Sequence, residues 1–102
     1  MKTIAVIQPP ALEARPEDAE AFQALAHLTR LRIFFYLVRA GREAPAGEIQ
    51  EALEVPAPTL SHHLDALYRA SLLERRHHER FIYYSVNQAN VSRLVRLLTA
   101  CC

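Results

Sequence analysis

VPAPTLSHHLDALYRAS, Val55 to Ser71, is the stretch whose winding decides how the rest of the chain is read. At about 100° per residue, Leu60, Leu64, Leu67 and Ser71 fall on one stripe of a helix, while Ser61, His62, Asp65 and Arg69 fall opposite. One side packs and the other is built to meet something polar. Pro58 suits a first helical turn, where its missing N–H has no helical partner to lose, and Pro56 just before it stops the preceding helix.

Working outward, Ala46–Leu53 (AGEIQEAL) is a second, shorter amphipathic run, separated only by Glu54, Val55 and Pro56. Two short helices across so tight a turn form a helix-turn-helix unit, whose second helix can lie in the DNA major groove with its N-terminal residues at the base edges. On the other side, Leu72–His77 (LLERRH) and Arg80–Val86 (RFIYYSV) are rich in apolar, β-branched or aromatic residues around His78 and Glu79. They predict a β-hairpin with Arg75, Arg76 and Arg80 near its tip. A helix-turn-helix followed by a basic hairpin is a winged helix, so the expected class is mainly α with a β-hairpin wing.

The flanks complete one domain over residues 1–102: an N-terminal arm over 1–15, the winged-helix body, and a dimerisation helix over 87–102. Thr3–Ile7 (TIAVI) is β-prone and closed by Pro9-Pro10, which leaves an added edge strand or a frayed tail open. Glu17–His27 predicts the first helix, with Pro16 near its start and Phe22, Leu25 and Leu28 turned inward. Thr29 is placed as the cap of a second helix running to Arg39, ended by Gly41. Asn87 or Asn90 can cap a last helix, along which Val91, Leu94, Val95, Leu98, Cys101 and Cys102 recur at spacings of three and four. Such a stripe at the end of a small domain is most economically covered by the same helix of a second subunit, with the first helix alongside, which predicts a homodimer.

Composition bounds the function. The chain has 102 residues, 51% of them hydrophobic, enough for one modest core that dimerisation can complete. A net charge of +1 and a pI of about 7.9 carry no global nucleic-acid signal, so any DNA affinity must come from local clustering. Glu13, Glu17, Asp18 and Glu20 crowd the N-terminal segment, whereas Arg69, Arg75, Arg76 and Arg80 crowd the helix-and-wing region. No apolar run is long enough for a membrane span and no convincing signal peptide precedes Pro9, so the expected place is the cytoplasm. The two cysteines are the last two residues, which is no disulfide framework.

The DNA-facing candidates are Thr59, Ser61, His62, Asp65 and Arg69 on the helix and Arg75, Arg76 and Arg80 on the wing. Arginines on a hairpin suit phosphate or minor-groove contact, and hydroxyls and imidazole near a helix N-terminus reach base edges or phosphates. Arg30 and Arg32 divide between phosphate contact and an ordinary solvated face. His63 lies nearer the apolar stripe and reads first as a packed, hydrogen-bonded residue. The pairs His62-His63 and His77-His78 lack a carboxylate or Cys at zinc-like spacing. Cys101 and Cys102 are small hydrophobes on the stripe, yet two consecutive thiols strain if closed into a disulfide and can both reach one larger soft atom. A small thiol enzyme is the competing class; it fails because there is no Cys-x-x-Cys motif and no acid or base near the tail in sequence to lower a thiol pKa. A winged helix that binds only protein is a third.

Three segments carry a family resemblance: Leu25-Ala26-His27-Leu28-Thr29-Arg30-Leu31-Arg32-Ile33, Pro58-Thr59-Leu60-Ser61-His62-His63-Leu64, and Arg80-Phe81-Ile82-Tyr83-Tyr84. In order and spacing they resemble the "LA-x-x-TRLRI", "PT-[VL]-S-x-HL" and "R-x-x-YY" segments of the ArsR/SmtB repressors, over roughly residues 22–98. Leu28 stands where that family usually has Pro, Pro56 where a capping Ser is usual, and Glu79 where the wing tip usually has Gly. The last matters because Glu does not favour positive φ. The resemblance implies a homodimeric winged-helix repressor. The family's thiolate site would need Cys near Ala46–Glu48, and its last-helix zinc site Asp and His after Arg80; neither is present. Similar C-terminal thiol pairs occur in arsenic-responsive relatives, which implies metalloid sensing at Cys101 and Cys102 in arsenic resistance. The expected function is thus an operator-bound repressor with no permanently bound cofactor, released by a trivalent arsenical, an organoarsenical favoured over arsenite or antimonite. The alternative is a regulator responding to thiol oxidation or to no ligand, with the cysteines only packing at the dimer interface.

Overall fold

Ile33, Leu37, Ile49, Leu60, Leu64, Leu67, Leu72 and Leu73 are the large side chains fully withdrawn from solvent, and the elements are arranged to bring them together. Burying each stabilises the fold by about 1.5–3 kcal/mol relative to leaving it exposed. The computed structural model describes residues 13–100. Its order is α1 (Pro16–Leu25), α2 (Leu28–Ala40), β1 (Ala44–Pro45), α3 (Ala46–Leu53), α4 (Ala57–Arg69), β2 (Leu73–His78), β3 (Phe81–Val86) and α5 (Gln88–Thr99). This is the expected winged helix-turn-helix. The Thr3–Ile7 segment and Cys101 and Cys102 lie outside the described residues.

The first two helices depart from expectation in where they cap and what they bury. The His27 Nδ1 accepts the Thr29 backbone N–H at 3.2 Å, so His27 and not Thr29 is the N-cap of α2. Leu28 becomes the first helical residue and is turned outward, 71% exposed. On α1 the inward face is Asp18, Ala21 and Ala24, whose small side chains let the helix lie close on α2 and α4; Phe22 is 37% exposed, and Leu25 packs partly against the core. Gly41 closes α2 at φ 65, the left-handed geometry a helix end of this type requires.

Between α3 and α4 the chain turns at Glu54, which takes φ 55 and donates its N–H to the Gln50 carbonyl. The stop therefore comes two residues before Pro56, which instead sits at the N-cap of α4 with Pro58 in the first turn. The core side of α4 is Leu60, His63, Leu64 and Leu67. Ser71, expected on this stripe, lies past the helix with φ 63, where the chain swings into the wing.

The wing strands begin one residue later than expected and pair antiparallel from Leu73↔Val86 to His78↔Phe81. Glu79 opens the two-residue turn with φ 57, so the tip takes a left-handed residue without glycine. A third strand, β1, joins the far edge of β3 to give the order β1-β3-β2. Two residues carry no periodicity, which is why this strand was not anticipated.

After the wing, the Asn87 side chain caps α5 by accepting the Asn90 N–H at 3.2 Å; of the two candidate caps this one is used. Leu94 is buried, Val91 and Leu97 pack partly against the core, and Val95 and Leu98 stand 51% and 62% exposed. The Arg93 guanidinium meets the buried Asp18 carboxylate, which also accepts the Arg15 backbone N–H at 2.8 Å, and so pins α5 beside α1. Among the described residues no helix is long and apolar enough to cross a membrane.

Candidate nucleic-acid interface

The exposed side of α4 begins where the core stripe leaves off. Thr59, Ser61 and His62 are exposed in its N-terminal half, where unpaired backbone N–H groups and the helix dipole favour an approaching anion. His63 faces inward beneath them. Its Nδ1 accepts the Arg30 Nε–H at 3.0 Å, and the His27 and His62 rings lie 4.6 and 5.5 Å from its own. Burial first, and then electrostatic repulsion from the His27, Arg30 and His62 side chains on its charged form, holds its pKa below the ordinary imidazole value. The packed reading of His63 is the one the structure supports, and Arg30 is its partner.

The helix before the turn is held from α2. The Tyr36 hydroxyl donates to Glu48 at 2.5 Å, and Arg42 donates to the same carboxylate at 2.8 and 3.2 Å. Hydrogen bonds from Arg42 and then Tyr36 lower the Glu48 pKa, and the Glu48 carboxylate raises that of the Tyr36 phenol.

On the wing, adjacent residues of a strand point to opposite faces, which separates the two arginines grouped at the sequence level. Arg75 lies on the face that packs against α4, its guanidinium 4.0 Å from the Tyr68 ring centre and 3.6 Å from Asp65. Asp65 also binds Arg69 at 3.0 Å, so three predicted site residues meet in one cluster between helix and wing. Arg76 lies on the outer face, where Glu43 accepts from it at 2.5 and 3.2 Å and the Tyr83 ring centre is 4.9 Å away. The bond from Arg76 holds the Glu43 carboxyl below its usual pKa. Arg80 stands at the exposed tip over Phe81, 5.9 Å from the ring centre, with no acidic partner among the described residues. His77 and His78 also diverge across the strand. Among the described residues no group of three or more His, Cys, Asp or Glu could hold a metal.

Glu43, Tyr83 and Tyr68 give no sign in the sequence of the arginines they meet, although strand parity puts Arg76 on the Tyr83 side.

Comparison with known proteins agrees with this geometry. A family model described as a helix-turn-helix domain matches residues 25–76. The chain is 36% identical over 66 residues to the transcriptional repressor SdpR of Bacillus subtilis, covering 65% of this chain and 71% of that protein. The chain belongs to the ArsR/SmtB family. Among solved structures of this class, an ArsR-like transcriptional regulator from Rhodococcus sp. RHA1 superposes with a TM-score of 0.73 at 29% identity, over 83% of this chain and 78% of that one. A homodimeric winged helix-turn-helix DNA-binding domain from Mycobacterium bovis, described as a possible ArsR-family transcriptional regulator, gives 0.68 at 30% identity, over 83% and 77%. These ArsR/SmtB relatives are transcriptional regulators, not enzymes. DNA is accordingly the partner, and transcriptional repression is the family function.

Proposed function

We propose that this repressor binds its operator as a homodimer and leaves it when a trivalent arsenical binds Cys101 and Cys102, organoarsenicals acting more strongly than arsenite or antimonite. The observation that carries the proposal is the position of the thiols in the chain. They follow α5 in the chain, whose Val95 and Leu98 present apolar surface to solvent, as does Phe22 of α1, and such surface suits the same helices of a second copy. A ligand at that point of the chain can alter subunit pairing, and with it the spacing of the two reading helices on DNA. Thr59, Ser61 and His62 are the base-edge candidates, and the arginines supply phosphate contacts.

The ligand preference follows from valence. Arsenite offers three exchangeable bonds and suits three thiolates, whereas a monosubstituted arsenical keeps one carbon bond and offers two, the number of thiols each subunit supplies. Zinc would want harder or more numerous ligands. The test is operator release, followed by fluorescence anisotropy, for wild type, Cys101→Ser and Cys102→Ser against methylarsenite, phenylarsine oxide, arsenite and zinc. Release of wild type alone, strongest with the organoarsenicals, is the expected result. Equal behaviour of all three proteins would return the cysteines to packing, and a stronger response to arsenite would point to a three-thiolate site shared across the dimer.

A further inference from the structure

Asp65 places a negative charge in the middle of α4, on the surface that approaches a polyanion. A carboxylate there repels phosphate, and exposed ion pairs return little stability, so neither DNA affinity nor folding accounts for it. Its geometry does. One carboxylate engages Arg69, one turn along the reading helix, at 3.0 Å, and Arg75, on the wing strand, at 3.6 Å, while the Tyr68 ring supports Arg75 from the helix side. Two arginines from two separate elements are thus occupied by one internal anion. The Arg69 side chain is otherwise 79% exposed and long enough to swing to a passing phosphate.

We infer that Asp65 is a specificity-determining positioning residue: an internal stand-in for phosphate that holds Arg69 and Arg75 in place, so that random DNA gains little from them. The reasoning is one of exchange. Non-specific affinity is set by the number of phosphates neutralised, and an arginine already neutralised adds only the difference between phosphate and carboxylate. On the operator, the N-terminal half of α4 makes base contacts that random DNA cannot supply, and these favour full seating of helix and wing, in which the exchange takes place. A free Arg69 and Arg75 would instead grip every duplex alike. Asp65 in this role makes no base contact, unlike the DNA-facing role expected of it from sequence.

The inference rests on the DNA-binding function and is tested with a duplex selected from random-sequence DNA by the wild-type protein, beside a scrambled duplex, over a series of salt concentrations. Asp65→Asn keeps the size of the side chain and removes its charge. It should bind the scrambled duplex more tightly, narrow the ratio between the two duplexes, and steepen the slope of log affinity against log salt by about 0.9–1.8, one phosphate for each arginine released. Asp65→Glu should stay near wild type, and adding Arg69→Ala and Arg75→Ala to Asp65→Asn should return the slope to its original value. Thermal unfolding of each variant shows that the fold is kept. An unchanged slope would overturn the inference, as would a loss of preference confined to one C·G pair, which would make Asp65 an acceptor for cytosine. A wild type that bound neither duplex would remove the DNA-binding premise and the inference with it.

Discussion

Arg30 donates its Nε–H to Nδ1 of His63 across 3.0 Å, joining the first turn of α2 to the buried side of the reading helix. An imidazole that accepts at Nδ1 is neutral and carries its proton on Nε2. Burial, with the Arg30 guanidinium and the His27 and His62 rings close by, makes this imidazole harder to protonate folded than unfolded. As pH falls below about 6.5 the unfolded chain therefore takes up more protons, and stability declines until the lower folded value is passed. Urea midpoints at pH 5, 6, 7 and 8 should fall toward acid in wild type and fall less in His63→Gln. Parallel profiles would mean that His63 does not contribute to the pH dependence.

The wing arginines should not behave alike. Arg80 has no acidic partner among the described residues, so Arg80→Ala should weaken binding to specific and scrambled DNA equally and flatten the salt slope by about 0.9. Arg76 is already spanned by Glu43 and backed by Tyr83, so Arg76→Ala should change the slope less, and Glu43→Gln should steepen it. Equal effects of Arg76→Ala and Arg80→Ala would show that DNA detaches Arg76 from Glu43 without cost.

The elements that carry long apolar periodicity were legible from sequence: α3 and α4 lie within two residues of their predicted ends because Ile49 and the Leu60, Leu64, Leu67 stripe leave no other face to bury. Caps were less legible, because His27 and Thr29 can each serve as N-cap, accepting different backbone N–H groups, and only the folded geometry decides. Residues Ala44–Pro45 could not be read as a strand, since their pairing depends on where Tyr83 and Tyr84 come to lie. Likewise the helix and wing arginines are visible as a charge cluster, but the carboxylate partner of Arg76 lies 33 residues away. Asp18 is the clearest loss: one of four acids in a charged segment, it is buried only because Arg93 arrives from α5, 75 residues on.

That pair makes a further prediction. Arg93→Ala leaves the Asp18 carboxylate buried without its guanidinium, and Asp18→Ala leaves Arg93 without its anion, so each should lower the melting temperature. Because both lose the same interaction, the double variant should be clearly more stable than the sum of the two losses implies. The bond from Arg93, first among its causes, holds the Asp18 pKa below 3.8, so this contribution is present above that pH and fades as pH falls below it. Additive losses in a double-mutant cycle at pH 7 would show that the two side chains act independently.

Val95 and Leu98 of α5 are exposed, as is Phe22 of α1, the helix that the same pair sets beside α5, and this is where a second subunit should sit. Val95→Glu places a charge in the middle of that face without touching Leu94 or the core, so it should leave the melting profile of the domain near that of an unpaired subunit and shift sedimentation from dimer to monomer at micromolar concentration. A monomer binds one half-site at a time. Loss of linkage between two reading helices should cost about 10²- to 10⁴-fold in affinity for a palindrome with half-sites one helical turn apart, while affinity for an isolated half-site stays nearly unchanged. If Val95→Glu remained dimeric and bound the palindrome as before, the subunits would meet through another surface, and the thiols that follow α5 in the chain would lose their proposed route to the reading helices.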